Sequence, residues 1–141
     1  MEAGIHGEVT ADYIAVNVMG LHRTGYDPGY HGIDNIYRDD DGRLVLMESK
    51  WGSRFGQSSL TQKKDEPAQM SEQWIRRSAA YMVLSGSAEN KKLGGEILSD
   101  LNSRIPSIRR ILININQRGY RCYEASWQTG SWRAIEAHGY E

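Results

Sequence analysis

The chain has 141 residues, a length that suits one compact domain, and its 39% apolar content supplies one core with little to spare. A single cysteine, Cys122, excludes an internal disulfide and a multi-thiolate structural zinc site, and no apolar run approaches the ~20 residues that span a membrane. The net charge of −1 is not the strongly basic balance of a protein that holds nucleic acid by electrostatics alone. The first residues, MEAGIHGEVTADYI, lack the basic-then-apolar pattern of a signal peptide.

Residues 8–19 read as a helix, because Ala11, Ile14, Ala15 and Val18 recur at i, i+3, i+4, i+7 and Gly20 can stop it. Residues 22–31 carry Gly, Pro and Asp and read as a loop. Two short strands follow, about 32–38 and 43–50, around the turn Asp39-Asp40-Asp41-Gly42. Residues 51–67 read as a long polar loop. A helix is expected over 69–84, with Ser71 as N-cap and Trp74, Ile75, Ser78, Ala79, Met82 and Val83 inward. A second is expected over 89–104, with Leu93, Ile97, Leu98 and Leu101 inward. Strands at about 109–115, 120–127 and 131–137 close the chain, and Ile111, Ile113 and Ile115 alternate as a half-buried strand requires. The order α, β, β, α, α, β, β, β predicts one α/β domain over 1–141, a mixed central sheet flanked by helices, with extra C-terminal strands.

The chemistry concentrates on the second strand. Side chains alternate along a strand, so Glu48 and Lys50 share a face at the end of the apolar run Leu44–Met47. Asp34 lies on the partner strand, and whether it meets Glu48 depends on the turn. A two-residue turn at Asp41-Gly42 pairs residues whose numbers sum to 83 and sends Asp34 to the wrong face. A three-residue turn, Asp40 to Gly42, or a bulge, gives 82 and sets Asp34 opposite Glu48. Two adjacent carboxylates repel unless a cation lies between them, and hard divalent ions prefer such oxygen ligands. With Lys50 beside them, these are the parts needed to hydrolyse a phosphodiester.

Asp34 followed by Glu48-Ser49-Lys50 on the next strand resembles the PD-(D/E)XK nuclease core, an α, strand-pair, α, strand arrangement similar in order to residues 8–115. Gln69-Met70-Ser71 with Trp74-Ile75, together with His31-Gly32-Ile33-Asp34 and Glu48-Ser49-Lys50-Trp51-Gly52, resembles nuclease toxins of polymorphic bacterial toxin systems. The likeness covers roughly residues 7–83. The chain departs from the family at Ile33, where a proline usually precedes the aspartate.

The resemblance implies a restriction-endonuclease-like fold and a metal-dependent endonuclease using Mg²⁺ or Mn²⁺. Asp34, Glu48 and Lys50 would be catalytic, and Glu8, Asp34 and Glu48 would hold the metal. Glu8 shares a stripe with Ala11 and Ala15, although the helix dipole alone favours a glutamate there. Gln69, Lys63 and Lys64 are candidates for substrate binding, the lysines because their loop follows the motif strand. The implied setting is the C-terminal toxic domain of a larger secreted protein, delivered from a producing bacterium to cut DNA in the target-cell cytoplasm. A cognate immunity protein would be its partner. Cleavage of tRNA, a restriction or repair endonuclease, and an inactive nucleic-acid-binding module are the alternatives. His31 reads as an exposed loop histidine, Trp74 as core, Cys122 as a buried small residue, and the pairs Arg76-Arg77 and Arg109-Arg110 as surface charge or phosphate contacts.

Overall fold

The computed structural model describes residues 9–29 and 32–139. Its centre is a six-stranded sheet in the order β1-β2-β3-β4-β5-β6. The strands are β1 (His22–Arg23), β2 (Asn35–Arg38), β3 (Leu44–Trp51), β4 (Arg109–Asn116), β5 (Gly119–Ala125) and β6 (Trp132–Gly139). All neighbours are antiparallel except β3 and β4, which run parallel. A parallel pair needs a long crossover. Two helices provide it, α2 (Glu72–Ser85) and α3 (Ala88–Leu101). The expected α/β class and mixed sheet are therefore present. Among the described residues no helix is long and apolar enough to cross a membrane.

Helix α1 is α-helical over 9–13 and passes into a π-helical turn, Ile14–Val18. Met19 N donates to Ile14 O at 2.9 Å, an i to i+5 bond. That wider turn delays the phase of the helix. Ala11, Ile14 and Ala15 are buried as the periodicity predicts, but Val18 is carried into solvent at 45% exposure. Val16 and Met19 pack against the core instead.

Helix α2 starts at Glu72, later than the expected 69. Met70 has φ 67°, a left-handed conformation outside any helix. Ser71 then caps, its Oγ accepting from Trp74 N at 3.2 Å. Ser87 caps α3 in the same way through Asn90 N. Residues 102–104, expected in α3, form a turn in which Ser103 N bonds Asp100 O. The helices pack closely at Gly94, where a Cβ would stand 2.7 Å from Ala79 O. Val83, expected inward, borders this contact, its Cγ2 3.1 Å from the same Cβ position, yet is 38% exposed.

The two faces of the sheet are covered by different helices. Ile75, Ala79, Met82, Leu93 and Ile97 of α2 and α3 pack on Ile36, Leu44 and Leu46. On the other face, Ala11, Ile14 and Ala15 of α1 pack on Tyr37, Val45, Met47, Ile111, Ile113, Ile115 and Cys122. Each fully buried Leu, Ile or Met contributes roughly 1.5–3 kcal/mol. Residues 22–23 were expected in a loop but pair with Arg38 and Tyr37 at the sheet edge. A two-residue strand carries no periodicity that a sequence could show.

Candidate active site at the ends of β2 and β3

The β2–β3 hairpin sets the register on which everything else depends. Gly42 N donates to Asp39 O, and Asp39 N donates to Arg43 O, both at 3.0 Å. Gly42 sits at φ 81°, which closes a three-residue connection, Asp40 to Gly42, of the type I plus left-handed kind. The Asp39 carboxylate accepts from the N–H groups of Asp41 and Arg43 and stiffens the turn. Paired residue numbers consequently sum to 82, with Asn35 opposite Met47 and Ile36 opposite Leu46. The odd turn anticipated from the sequence is the one observed. One residue beyond the paired region, this register brings Asp34 beside Glu48, near enough for its charge to act on the Glu48 carboxyl, while Asp34 also borders a small cleft with Ala11, Tyr37, Met47 and Ser49.

Asp34 is anchored from behind. Its Oδ2 accepts from Ser49 N at 2.9 Å and from Ser49 Oγ at 3.2 Å. Tyr26 supports the same turn, donating its hydroxyl to Ile33 O at 2.6 Å. Burial, followed by the nearby charges of Asp34 and Glu48, pushes the Tyr26 phenol up, so this donor keeps its proton.

Glu48 is 3% exposed. Its Oε2 accepts from Gln69 Nε2 at 2.6 Å and lies 3.9 Å from Lys50 Nζ. Its Oε1 is buried with no hydrogen-bond partner. Burial, and then the adjacent Asp34 carboxylate, raise the Glu48 carboxyl well above the usual range, against the opposing pull of Lys50. An orphaned, desolvated carboxylate oxygen beside a second carboxylate is a site short of positive charge. Its all-oxygen donor set suits a hard divalent cation.

A run of hydrogen bonds, closed by the Lys50–Glu48 ion pair, holds these groups in place. Gln69 Oε1 accepts from Thr61 N at 3.0 Å, Gln69 N donates to Thr61 O at 3.0 Å, and Lys50 Nζ donates to Thr61 Oγ1 at 3.3 Å. The Gln69 amide is thereby oriented with its NH₂ toward Glu48. Thr61 was not singled out from the sequence. It lies in a loop with no pattern, and only the fold brings it to Lys50.

The expected site residues divide as follows. Asp34, Glu48, Lys50 and Gln69 converge. Lys63 lines a cleft of about 360 Å³ together with Thr61, Gln69, Trp74 and Arg77. Lys64 is exposed and does not line that cleft. Trp74, expected in the core, is half-buried over Gly32 and forms a wall of the same cleft. Glu8 and His31 lie outside the described residues. Among the described residues no group of three or more His, Cys, Asp or Glu side chains is placed to hold a metal. In comparisons with known proteins, no family model, no curated protein and no solved structure matches this chain.

Proposed function

We propose that this domain is a metal-dependent nuclease with a PD-(D/E)XK-type core, which hydrolyses phosphodiester bonds in DNA. One observation carries the reading: the three-residue hairpin turn sets Asp34 against Glu48, with Lys50 3.9 Å from the latter. The order α1, β2–β3, α2–α3, then β4 parallel to β3 is in keeping with a restriction-endonuclease-like core.

Asp34 and Glu48 would hold Mg²⁺ or Mn²⁺, with Glu8 as a third ligand by resemblance. Such an ion, when bound, polarises a phosphoryl oxygen and lowers the pKa of its water. The chain's own groups do the rest. Gln69 fixes the Glu48 carboxylate, Ser49 and Tyr26 fix the Asp34 turn, and the Lys50 ammonium donates toward the charge that develops on the phosphorane. Lys63 and Arg77 draw the phosphate backbone into the cleft beside Thr61. The toxin setting, with delivery into a target-cell cytoplasm and a cognate immunity protein, rests on the QMS-x-x-W-I resemblance alone.

The test is incubation of the domain with plasmid and with total tRNA, each with Mg²⁺ and with chelator. Plasmid cleavage that stops with chelator and in Asp34→Ala and Lys50→Ala supports the reading. Cleavage of tRNA alone replaces DNA with tRNA as the substrate, and cleavage of neither removes the nuclease.

A further inference from the structure

Arg110, on β4, is the second buried charge on this face of the sheet. It is 6% exposed. Its Nη1 and Nη2 donate to Met70 O at 3.2 Å and Ser126 O at 3.1 Å, but Nε is buried without a partner. The guanidinium lies 3.6 Å from the Trp127 ring centre and 6.0 Å from that of Trp132. It takes part in no ion pair among the described residues. Its neighbour Arg109 shows how the chain treats an ordinary half-buried arginine, with Glu124 at 2.9 Å and Asp39 at 3.6 Å. Glu72 exerts a favourable pull on Arg110 but already pairs with Arg76 at 2.9 Å. Burial pulls the Arg110 guanidinium down to about 10, with Glu72 only partly opposing it. A buried cation without a counter-charge is costly, and an arriving anion would relieve that cost.

The surroundings suit that anion. Arg110 lines a cleft of about 500 Å³ with Ser58, Thr61, Gln69, Ser71 and Trp132, and the one carboxylate on that lining, Glu72, is turned to Arg76 at 2.9 Å. Ser71 is the N-cap of the 14-residue helix α2, so the positive end of that helix opens on the same space. Thr61 and Gln69 line both this cleft and the one holding Lys63 and Arg77. Arg110 pairs with Leu46 and Leu112 with Glu48, so Arg110 and Glu48 share a sheet face roughly 8 Å apart by strand geometry.

We propose that the Arg110 cleft is a phosphate-binding subsite, taking a backbone phosphate of the nucleic-acid strand that flanks the bond cut at Asp34 and Glu48. The anion site stands on Arg110 and its cleft. That the phosphate belongs to a nucleic acid rests on the nuclease reading above.

The experiment titrates the metal-free domain with inorganic phosphate while the indole N–H resonances of its four tryptophans are followed. The Trp127 and Trp132 signals shift saturably and that of Trp51 does not. Because Arg110→Lys perturbs packing at a buried position, Ser58→Asp is the principal variant. It places a carboxylate on the exposed rim of the cleft and weakens phosphate binding at least about tenfold. In oligonucleotide cleavage with Mg²⁺, Ser58→Asp raises KM about tenfold and leaves kcat within about twofold. Unshifted Trp127 and Trp132 signals, or parental phosphate affinity in Ser58→Asp, overturn the subsite. Saturable shifts without any nucleic-acid cleavage keep the anion site and remove the nuclease reading. Cleavage with silent tryptophans and an unchanged KM does the reverse.

Discussion

Along β3, successive residues go to opposite faces of the sheet, and the two faces differ in kind. Val45 and Met47 pass under α1 into an apolar layer, and the charges that this face does carry are paired, Arg109 with Glu124 and with Asp39. Leu44 and Leu46 pass under α2 and α3, and the same face then carries Glu48 and Lys50, with Arg110 and the fully buried Asn114 on β4. Asn114 is satisfied, by Gly56 N and Ser59 Oγ. Glu48 and Arg110 are not, each keeping one buried atom without a partner. A face selected only for stability has no reason to hold either. One side of the sheet closes the core with its charges paired, and the other buries charge that keeps an unpartnered atom.

Substitutions on the two faces test this contrast. The largest effect is expected at the charged face: Asp34→Ala and Lys50→Ala each lower the plasmid cleavage rate by about 10³ or more while circular dichroism is unchanged. A variant that keeps a tenth of the rate would end the assignment. On the apolar face, Ile113→Ala costs about 2–5 kcal/mol in urea unfolding and leaves the activity per folded molecule as it was. Gln69→Ala strips Glu48 of its donor, and a loss of about 10–100-fold in Mg²⁺ affinity or activity is expected. Calorimetric titration with Mg²⁺ checks this directly. Ser71→Ala, at the N-cap between the faces, costs about 1 kcal/mol by denaturant melting.

The smallest effect belongs to Asp12 on α1. The Arg23 hydrogen bond, opposed by burial and helped by the Tyr37 hydroxyl, holds its carboxyl below the ordinary 3.8. A carboxylate depressed in the folded state stabilises above its unfolded pKa, and that contribution is lost as pH falls through the folded value. Asp12→Asn should therefore flatten the stability curve below about pH 4. The change should be no more than about 1 kcal/mol, since the pair is partly solvated.

Much of the charged face was legible in the sequence because strand alternation is local arithmetic. Glu48 and Lys50 on one side and Ser71 as a cap follow from spacing, whereas the odd hairpin register was a condition of the site that the Asp-Gly turn signal alone did not supply. What escaped was decided by contacts between distant segments. Thr61 and Tyr26 sit in loops whose composition says only that they turn, and their partners lie elsewhere in the fold. Arg110 stood in plain view as half of a basic pair. Alternation along β4 sends it under Trp127 and its neighbour toward Glu124, a separation that the pairing of two arginines conceals. The π-turn of α1 escaped for another reason: it changes the helical period itself, so the rule that placed Ala11 and Ile14 misplaced Val18.

The connection from Asp40 to Gly42 touches neither the core nor the candidate clefts, yet it has an outsized evolutionary weight. Replacing Asp40 or Asp41 is nearly free, because both are exposed. Losing or gaining a single codon there is a different event. The strand would re-pair by one step, Asp34 would turn away from Glu48, and the proposed site would come apart with each of its residues still in the sequence. A second change of one codon would restore it. Descendants of this domain are thus free to rewrite the loop but not to recount it.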